Sequence, residues 1–198
     1  MPAIVDHDER RREVAEAALR LVAKRGLAAL TVRAVADEVG CSTAVVSHYF
    51  ENKRQLLIQT YELSADRAAA RFLEARDAGA DLAGCLAVLL PLDTARADDW
   101  NVWFCFWSEA VADPELSVRQ RARVANTIGF IGMLLRRDQP RLRTADEAVI
   151  ERLASRILSA LLGVAVQALF SPALWPPARQ VQIMADELAT LEHHGASL

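Results

Sequence analysis

Residues 42–49 carry side chains whose chemistry suits the edges of DNA bases. A helix beginning after Ser42 would place small or weakly polar side chains on one face: Thr43, Ala44, Ser47 and His48. Such a face can lie against the floor of a major groove, because it is neither bulky nor strongly hydrated. The pattern therefore indicates contact with double-stranded DNA.

Two cations at the start of the next predicted helix suit the DNA backbone. Lys53 and Arg54 would occupy its first turn, where each opposes the helix dipole by roughly 0.3 to 1 kcal/mol on an exposed site. A phosphate bound there would reverse the sign of this interaction, because the free backbone N–H groups and Lys53 attract it. Asn52 and Gln55 resemble a capping box at the same helix start.

Two short helices and a tight turn are expected to position these residues. Thr31 can cap the first helix, which would bury one apolar stripe: Val35, Ala36 and Val39. Gly40 can end that helix in a left-handed conformation, and Ser42 can cap the second helix. Val46 and Phe50 share the buried face of the second helix. This layout is a helix-turn-helix, and the alternative is an ordinary three-helix packing unit with solvated charges.

Helical periodicity with proline and glycine breaks continues along the whole chain, and no strand pattern is found. The predicted helices around the helix-turn-helix span residues 8–25, 53–77, 82–90, 95–112, 115–137, 148–170 and 178–192, with a capping box at 144–147. We therefore predict an all-α protein with an N-terminal three-helix DNA-binding head. A long helix would join the head, residues 1–57, to a helical ligand-binding and dimerisation body, residues 58–198.

The segment LTVRAVADEVGCSTAVVSHYFENKRQLL, residues 30–57, follows an amphipathic helix and resembles the TetR family of bacterial transcriptional repressors. Within that family, residues 47–53 resemble the BetI type. The resemblance implies a homodimer that binds a DNA operator through its N-terminal domains. It also implies release of the operator when a small molecule fills the C-terminal domain.

The same resemblance assigns DNA contacts residue by residue. It places five side chains against bases or the adjacent backbone: Arg33, Thr43, Ala44, Val45 and Ser47. It places His48, Tyr49 and Lys53 on phosphates, and Ser42 would cap the helix and could also touch a phosphate. Cys41 stands where valine is usual and Ser47 where tyrosine is common, which leaves the base preference open.

Composition and charge fit a packed protein that binds DNA through a few placed cations. The chain is 53% hydrophobic and 25% charged, which excludes disordered and collagen-like classes. Residues 1–60 hold nine basic and eight acidic residues, net +1, whereas the remainder holds fourteen and eighteen, net −4. Electrostatic binding is therefore expected to depend on four cations: Arg10, Arg33, Lys53 and Arg54.

Cysteine and histidine spacing favours neither a disulfide framework nor a metal site. The three cysteines, at 41, 85 and 105, form no CxxC pair, and the four histidines, at 7, 48, 193 and 194, show no ligand spacing. We expect no metal and no cofactor. Cys41 could be a redox sensor or a small buried hydrophobe. No signal peptide or run of eighteen apolar residues is found, so we expect a cytoplasmic protein without a membrane span.

The helix at 148–170 is apolar on more than one face, which predicts a homodimer. Burying an exposed leucine against a partner stabilises by roughly 1.5 to 3 kcal/mol. We expect the interface to use six residues of this helix and the last one: Leu158, Leu161, Leu162, Val181, Met184 and Leu188. Ala160 and Gly163 would permit close helix approach. The alternative is that these residues form the internal core alone.

Aromatic residues crowd one predicted helix and suggest an effector pocket. The candidate effector-binding residues are Trp100, Trp103, Phe104, Trp107 and Glu109. Aromatic faces with nearby carboxylates suit a choline-like or polyamine cation, and an apolar ligand fits the lining almost as well. The stripe could instead be packed core.

The leading interpretation is thus a ligand-responsive repressor, and two rivals stay open. One is a DNA-binding regulator without a small ligand. The other is an all-helical enzyme using the aromatic pocket, although no nucleophile–base pair, HExxH, CxxC or glycine-rich phosphate loop is present. We therefore expect no enzymatic activity.

Overall fold

The computed structural model describes residues 7–194, and within them every regular element is helical. The α-helices of this part of the chain are α1 His7–Arg25, α2 Val32–Val39, α3 Thr43–Tyr49, α4 Lys53–Asp77, α5 Leu82–Ala87, α6 Thr94–Ala110, α7 Pro114–Asp138, α8 Glu147–Phe170 and α9 Pro177–His194. Two short 3-10 helices follow α1 and α7, at Leu27–Ala29 and Pro140–Leu142. The predicted all-α class is confirmed, with helix ends displaced by a few residues.

The chain divides into two compact units. The first comprises the residues up to Arg67 together with Asp98–Ser117, and the second comprises Ala68–Ala97 together with the residues from Val118 onward. Residues 58–67 and most of α6 thus pack with the helix-turn-helix. A division after residue 57 would instead place them in the second unit. The functional division into 1–57 and 58–198 stays a prediction.

Local rules explain the start and end of α2. The Thr31 hydroxyl oxygen accepts a hydrogen bond from the Ala34 N–H at 3.1 Å, as expected for an N-cap. Gly40 ends the helix with φ 74°, a left-handed conformation that glycine adopts without strain. Ser42 occupies the N-cap position of α3, but its side chain makes no capping hydrogen bond. The expected cap is therefore absent at Ser42.

The start of α4 is capped by a variant of the predicted box. Asn52 Oδ1 accepts from the Gln55 N–H at 3.0 Å. Gln55 Oε1 in turn accepts from the N–H of Glu51, also at 3.0 Å, one residue before the cap. The box thus binds two backbone donors, with its second bond displaced by one residue.

Helix α6 packs against α4 within the first unit. The rings of Tyr61 and Phe106 stack with centroids 3.8 Å apart and planes 10° apart. The Trp103 indole N–H donates to the hydroxyl of Ser64 at 2.8 Å. Both Tyr61 and Ser64 are buried, so these contacts fix α6 to the helix that begins at the candidate phosphate site.

The second unit is built around α7 and α8. A Cβ added at Gly132 on α7 would lie 2.8 Å from Cγ2 of Ile150 on α8, so the two helices approach closely there. Helix α8 begins at Glu147 after Asp146, which makes no side-chain capping bond, so the box expected at Thr144 is wrong. Arg136 holds this connection instead, because its guanidinium donates to three carbonyl groups: those of Leu142, Arg143 and Ala145.

Helix α8 has the length and apolar composition of a membrane-spanning helix, with a mean hydropathy of 1.8. Polar residues interrupt its apolar run, so the sequence holds no run of eighteen apolar residues there. Its buried residues recur every three or four positions and include Ile150, Ala154, Ile157 and Leu161. Such a stripe is typical of a core helix in a packed bundle.

The residues predicted for the dimer interface divide into two groups. Leu158, Leu161 and Met184 are buried within the single chain, so their assignment to an interface is wrong. The internal-core alternative applies to them, because a helix apolar on several faces does not reveal which face its own chain covers. Leu162 and Leu188 are half-buried, and Val181 is exposed.

Candidate nucleic-acid interface

Helix α3 presents a small, uncharged surface to solvent. The residues expected to face DNA are exposed along it: Ser42, Thr43, Ala44, Ser47 and His48. Val45 and Tyr49 are half-buried at the border of this surface. Val46 is fully buried and Phe50 nearly so, and both join the same core as Val35. The buried stripe therefore fixes the rotation of α3, and its opposite face is free to enter a groove.

Two cations flank α3 on neighbouring helices. Arg33 is exposed in the first turn of α2, and Lys53 is exposed at the first residue of α4. Neither side chain forms an ion pair within residues 7–194. Their charges are therefore available to phosphates, and their contacts with DNA stay predictions.

Arg54, in contrast, is held by two carboxylates of its own unit. Its Nε and Nη2 donate to the two oxygens of Asp113 at 3.0 and 3.1 Å, and Nη2 also donates to Glu115 at 2.9 Å. Hydrogen bonds to Glu115 and Asp113 raise the pKa of Arg54. Arg54 thus differs from Arg33 and Lys53, because it is ion-paired with residues 59 and 61 positions away, and its expected role in DNA binding stays a prediction.

Asp113 links two helix starts. Its Oδ1 accepts from the N–H groups of Glu115 and Leu116 at the start of α7, while its carboxylate also binds Arg54 at the start of α4. The Leu116 hydrogen bond is the main cause of the lowered pKa of Asp113, and Arg54 adds to it. The turn between α6 and α7 is thereby tied to the helix that carries Lys53.

His7 lies beside α3, a position that the sequence pattern does not predict. Its ring nitrogen Nδ1 is 3.2 Å from the Tyr49 hydroxyl oxygen, and its ring centroid is 6.0 Å from that of His48. The contact joins residues 42 positions apart, so local sequence rules give no signal for it.

The aromatic residues of α6 form one cluster in the first unit. Ring centroids of Trp100 and Trp103 are 4.8 Å apart, and those of Phe104 and Trp107 are 5.3 Å apart. Trp100 stands edge to face with Trp107 at 6.0 Å. Four of the five predicted effector residues are thus brought together, as their helical spacing predicts.

The polar groups on or next to the cluster differ in burial. Trp107 Nε1 is buried with no hydrogen-bond partner within the described part of the chain. Asp99, which directly precedes Trp100 in the sequence, is buried, whereas Glu109 is exposed. Glu109 lies about 180° around the helix axis from Trp100. Its side chain is therefore not on the same face as the aromatic ring of Trp100.

Two family models match separate stretches of the chain. Residues 14–60 match the model described as bacterial regulatory proteins, tetR family. Residues 78–193, more than half of the chain, match the model described as BetI-type transcriptional repressor, C-terminal. The chain belongs to the TetR family. The TetR model covers α3 and Lys53, the BetI-type model covers the aromatic cluster, and His7 lies outside both.

Named TetR-type relatives are similar over part of their length. The chain is 29% identical to HTH-type transcriptional regulator PksA of Bacillus subtilis over 114 residues, 56% of either chain. It is 30% identical to HTH-type transcriptional regulator BetI of Burkholderia cenocepacia over 121 residues, 59% of this chain and 62% of that one. The chain thus spans less than two thirds of these relatives.

Solved structures share the fold over nearly the whole chain. A transcriptional regulator from Rhodococcus sp. Rha1 matches with a TM-score of 0.81 and 26% identity, covering 92% of this chain and 96% of that one. A regulator from Saccharomonospora viridis, solved in complex with choline, matches with a TM-score of 0.79 and 24% identity, covering 94% and 97%. These matches confirm the TetR-family fold that the helix-turn-helix segment predicted.

Proposed function

We propose that this chain is a transcriptional repressor that binds a near-palindromic DNA operator as a homodimer and leaves it when a small molecule binds. The α3 surface carries the proposal, since it is exposed, uncharged at its start and fixed in rotation by Val46. The match to the tetR model over the same residues supports it. Such a regulator acts in the cytoplasm, and its function needs no catalytic group.

Selection of bound fragments from random duplexes tests the DNA-binding part directly. We expect enrichment of an inverted repeat whose half-sites are centred about 34 to 36 Å apart, or a multiple of this. Thr43→Ala should enrich a different sequence, because Thr43 is expected to contact a base. Enrichment of no sequence at moderate salt would contradict the proposal.

The proposed effector is a choline-like quaternary ammonium ion, bound at the α6 aromatic cluster. Three tryptophans and Phe104 supply aromatic faces, which attract cations. Asp99 is a buried carboxylate on the same helix. A structural neighbour that shares the fold was solved with choline, which favours this class over an apolar ligand.

A pair of ligands equal in shape separates charge from hydrophobicity. We expect choline to raise the melting temperature of the protein and to weaken its binding to the selected duplex. The neutral isostere, in which a tert-butyl group replaces trimethylammonium, should do neither, because it lacks the cation. Equal effects of choline and its neutral isostere would favour an apolar effector. No effect of choline, polyamines or fatty acids would favour a regulator without a small ligand.

The proposed homodimer interface is an exposed face of α8 and α9. A groove of about 570 Å³ lies between the two helices, and its lining includes Ala160 and Gly163 of α8 and Ile183 of α9. Gly163 is exposed, and a Cβ there would meet nothing within 4 Å in the single chain. Phe170, Leu174 and Val181 are exposed on or between the same helices, at 80%, 64% and 40%. Val181 was already part of the predicted interface, and Phe170 and Leu174 take the place of its buried residues.

Light scattering after size exclusion tests the interface. Gly163→Arg should give a monomer, because the new side chain would enter the partner rather than its own core. Gly129→Arg is the matched control, since Gly129 is an exposed glycine on α7 that also has open space around it. A dimeric Gly163→Arg variant would overturn the proposed interface.

A further inference from the structure

Three aromatic rings meet at the edge of the α3 surface. His7, the first residue of α1, lies with its Nδ1 3.2 Å from the hydroxyl oxygen of Tyr49. Its ring centroid is 6.0 Å from His48 and 6.1 Å from Tyr49. His48 and Tyr49 stand edge to face at 5.0 Å. The cluster thus joins the start of α1 to the end of α3.

The two imidazoles of this cluster are accessible to a bound duplex. His7 and His48 are both exposed, while Tyr49 is half-buried between the helices. His48 belongs to the same α3 face as Thr43 and Ser47. His7 therefore extends the DNA-facing surface beyond the residues that the tetR model covers.

Protonation would convert the pair into a phosphate-binding group. Imidazoles change charge near neutral pH, and a protonated ring forms a charge-assisted hydrogen bond with a phosphate. The Tyr49 hydroxyl can either donate or accept, so its bond to Nδ1 of His7 survives protonation. Two positive rings 6.0 Å apart repel each other, and a phosphate beside them offsets this repulsion.

Other charged side chains lie on the elements that carry or flank the cluster. They are Asp8, Glu9, Arg10 and Arg11 of α1, Glu51 between α3 and α4, and Lys53 at the start of α4. Arg10 is paired with Glu13, and Arg11 donates to Gln59. The two imidazoles of this surface are those of His7 and His48.

We propose that His7 is a further DNA-backbone contact, held beside His48 by Tyr49, and that proton uptake by this histidine pair strengthens DNA binding as pH falls. The inference rests on the proposed DNA binding through α3. By linkage, each proton taken up on binding lowers Kd by up to about tenfold per pH unit. At acidic pH the pair adds two cations to a head whose other charges nearly cancel.

Fluorescence anisotropy with a mixed-sequence duplex of about 30 base pairs tests the inference, because backbone contacts do not depend on sequence. We expect the wild-type Kd to fall between about pH 8 and pH 6 at constant ionic strength. His7→Gln should lose part of this pH dependence, and His7→Gln with His48→Gln should lose nearly all of it. Tyr49→Phe should resemble His7→Gln, since it removes the hydroxyl that holds the ring.

His193→Gln is the matched control, because residue 193 belongs to the other compact unit, and it should leave the pH dependence unchanged. Circular dichroism at both pH values shows whether each variant is folded. An equal pH dependence in the wild type and the folded double variant would overturn the inference while leaving DNA binding intact. Failure of the wild type to bind the duplex at any pH would instead overturn the proposed function on which it rests.

Discussion

Single residues of the helix-turn-helix decide where its DNA-facing surface lies. Gly40 ends α2 in a left-handed conformation, so α3 can begin three residues later in a new direction. Val46 is fully buried, which leaves Thr43 and Ser47 pointing away from the core. These features follow from local rules and were predicted from the sequence, because caps and helical spacing act within a few residues.

Other residues depend on contacts that are remote in sequence and were not predictable. Arg54 looks like a free cation in the first turn of α4, yet Asp113 and Glu115 bind it. His7 gives no sign in the sequence of its contact with Tyr49. Local patterns identify which side chains are exposed, but tertiary packing decides which charged side chains are already ion-paired.

Lys53→Ala should weaken binding to every duplex and reduce the slope of log affinity against log salt by about one. The reason is that Lys53 is exposed at a helix start and would neutralise one phosphate. Titrations at several salt concentrations measure the slope. Lys24→Ala, which removes the other lysine of the head, is the charge-matched control and should leave the slope unchanged. A similar slope for the Lys53→Ala variant and the wild type would contradict its role.

At the scale of elements, the turn between α6 and α7 is coupled to the start of α4. Asp113 caps α7 and binds Arg54, while Tyr61 of α4 stacks on Phe106 of α6. A ligand that displaces the aromatic face of α6 would therefore strain contacts that hold Lys53 in place. The sequence predicted the helices but not this coupling, since it depends on how they pack.

Arg54→Gln and Asp113→Asn test the coupling because they change charge in opposite directions. If the ion pair positions α4, both variants should weaken binding to the selected duplex by about three- to tenfold. If the pair acts through charge alone, Asp113→Asn should bind more tightly than the wild type. Anisotropy titrations at one salt concentration distinguish the two, and tighter binding by Asp113→Asn would reject a positioning role.

The close approach of α7 and α8 predicts opposite effects at two glycines of one helix. Gly132→Ala should destabilise the protein by about 1 to 3 kcal/mol, because its Cβ would overlap Ile150. Gly129→Ala has open space and should stabilise by up to about 1 kcal/mol through helix propensity. Urea unfolding measures both. Equal stabilities for the two variants would contradict the packing described for Ile150.

For the whole molecule, fold and family were predictable because the helix-turn-helix signal is local and dense. Residues for the proposed dimer interface were harder to predict, since Leu158 and Leu161 follow the same apolar periodicity whether a partner or the chain itself covers them. The exposed surface around Gly163 could be found only once the core was known. The proposed homodimer would relate two α3 helices by a two-fold axis, and such a pair requires a two-fold DNA sequence.

Hydroxyl-radical footprinting of the selected duplex tests most directly whether paired α3 helices read DNA. Two protected patches should appear on one face of the duplex, centred about 34 to 36 Å apart and related by two-fold symmetry. Lys53→Ala should weaken protection at both patches equally. Protection of a single patch, or uniform protection without a boundary, would contradict the account.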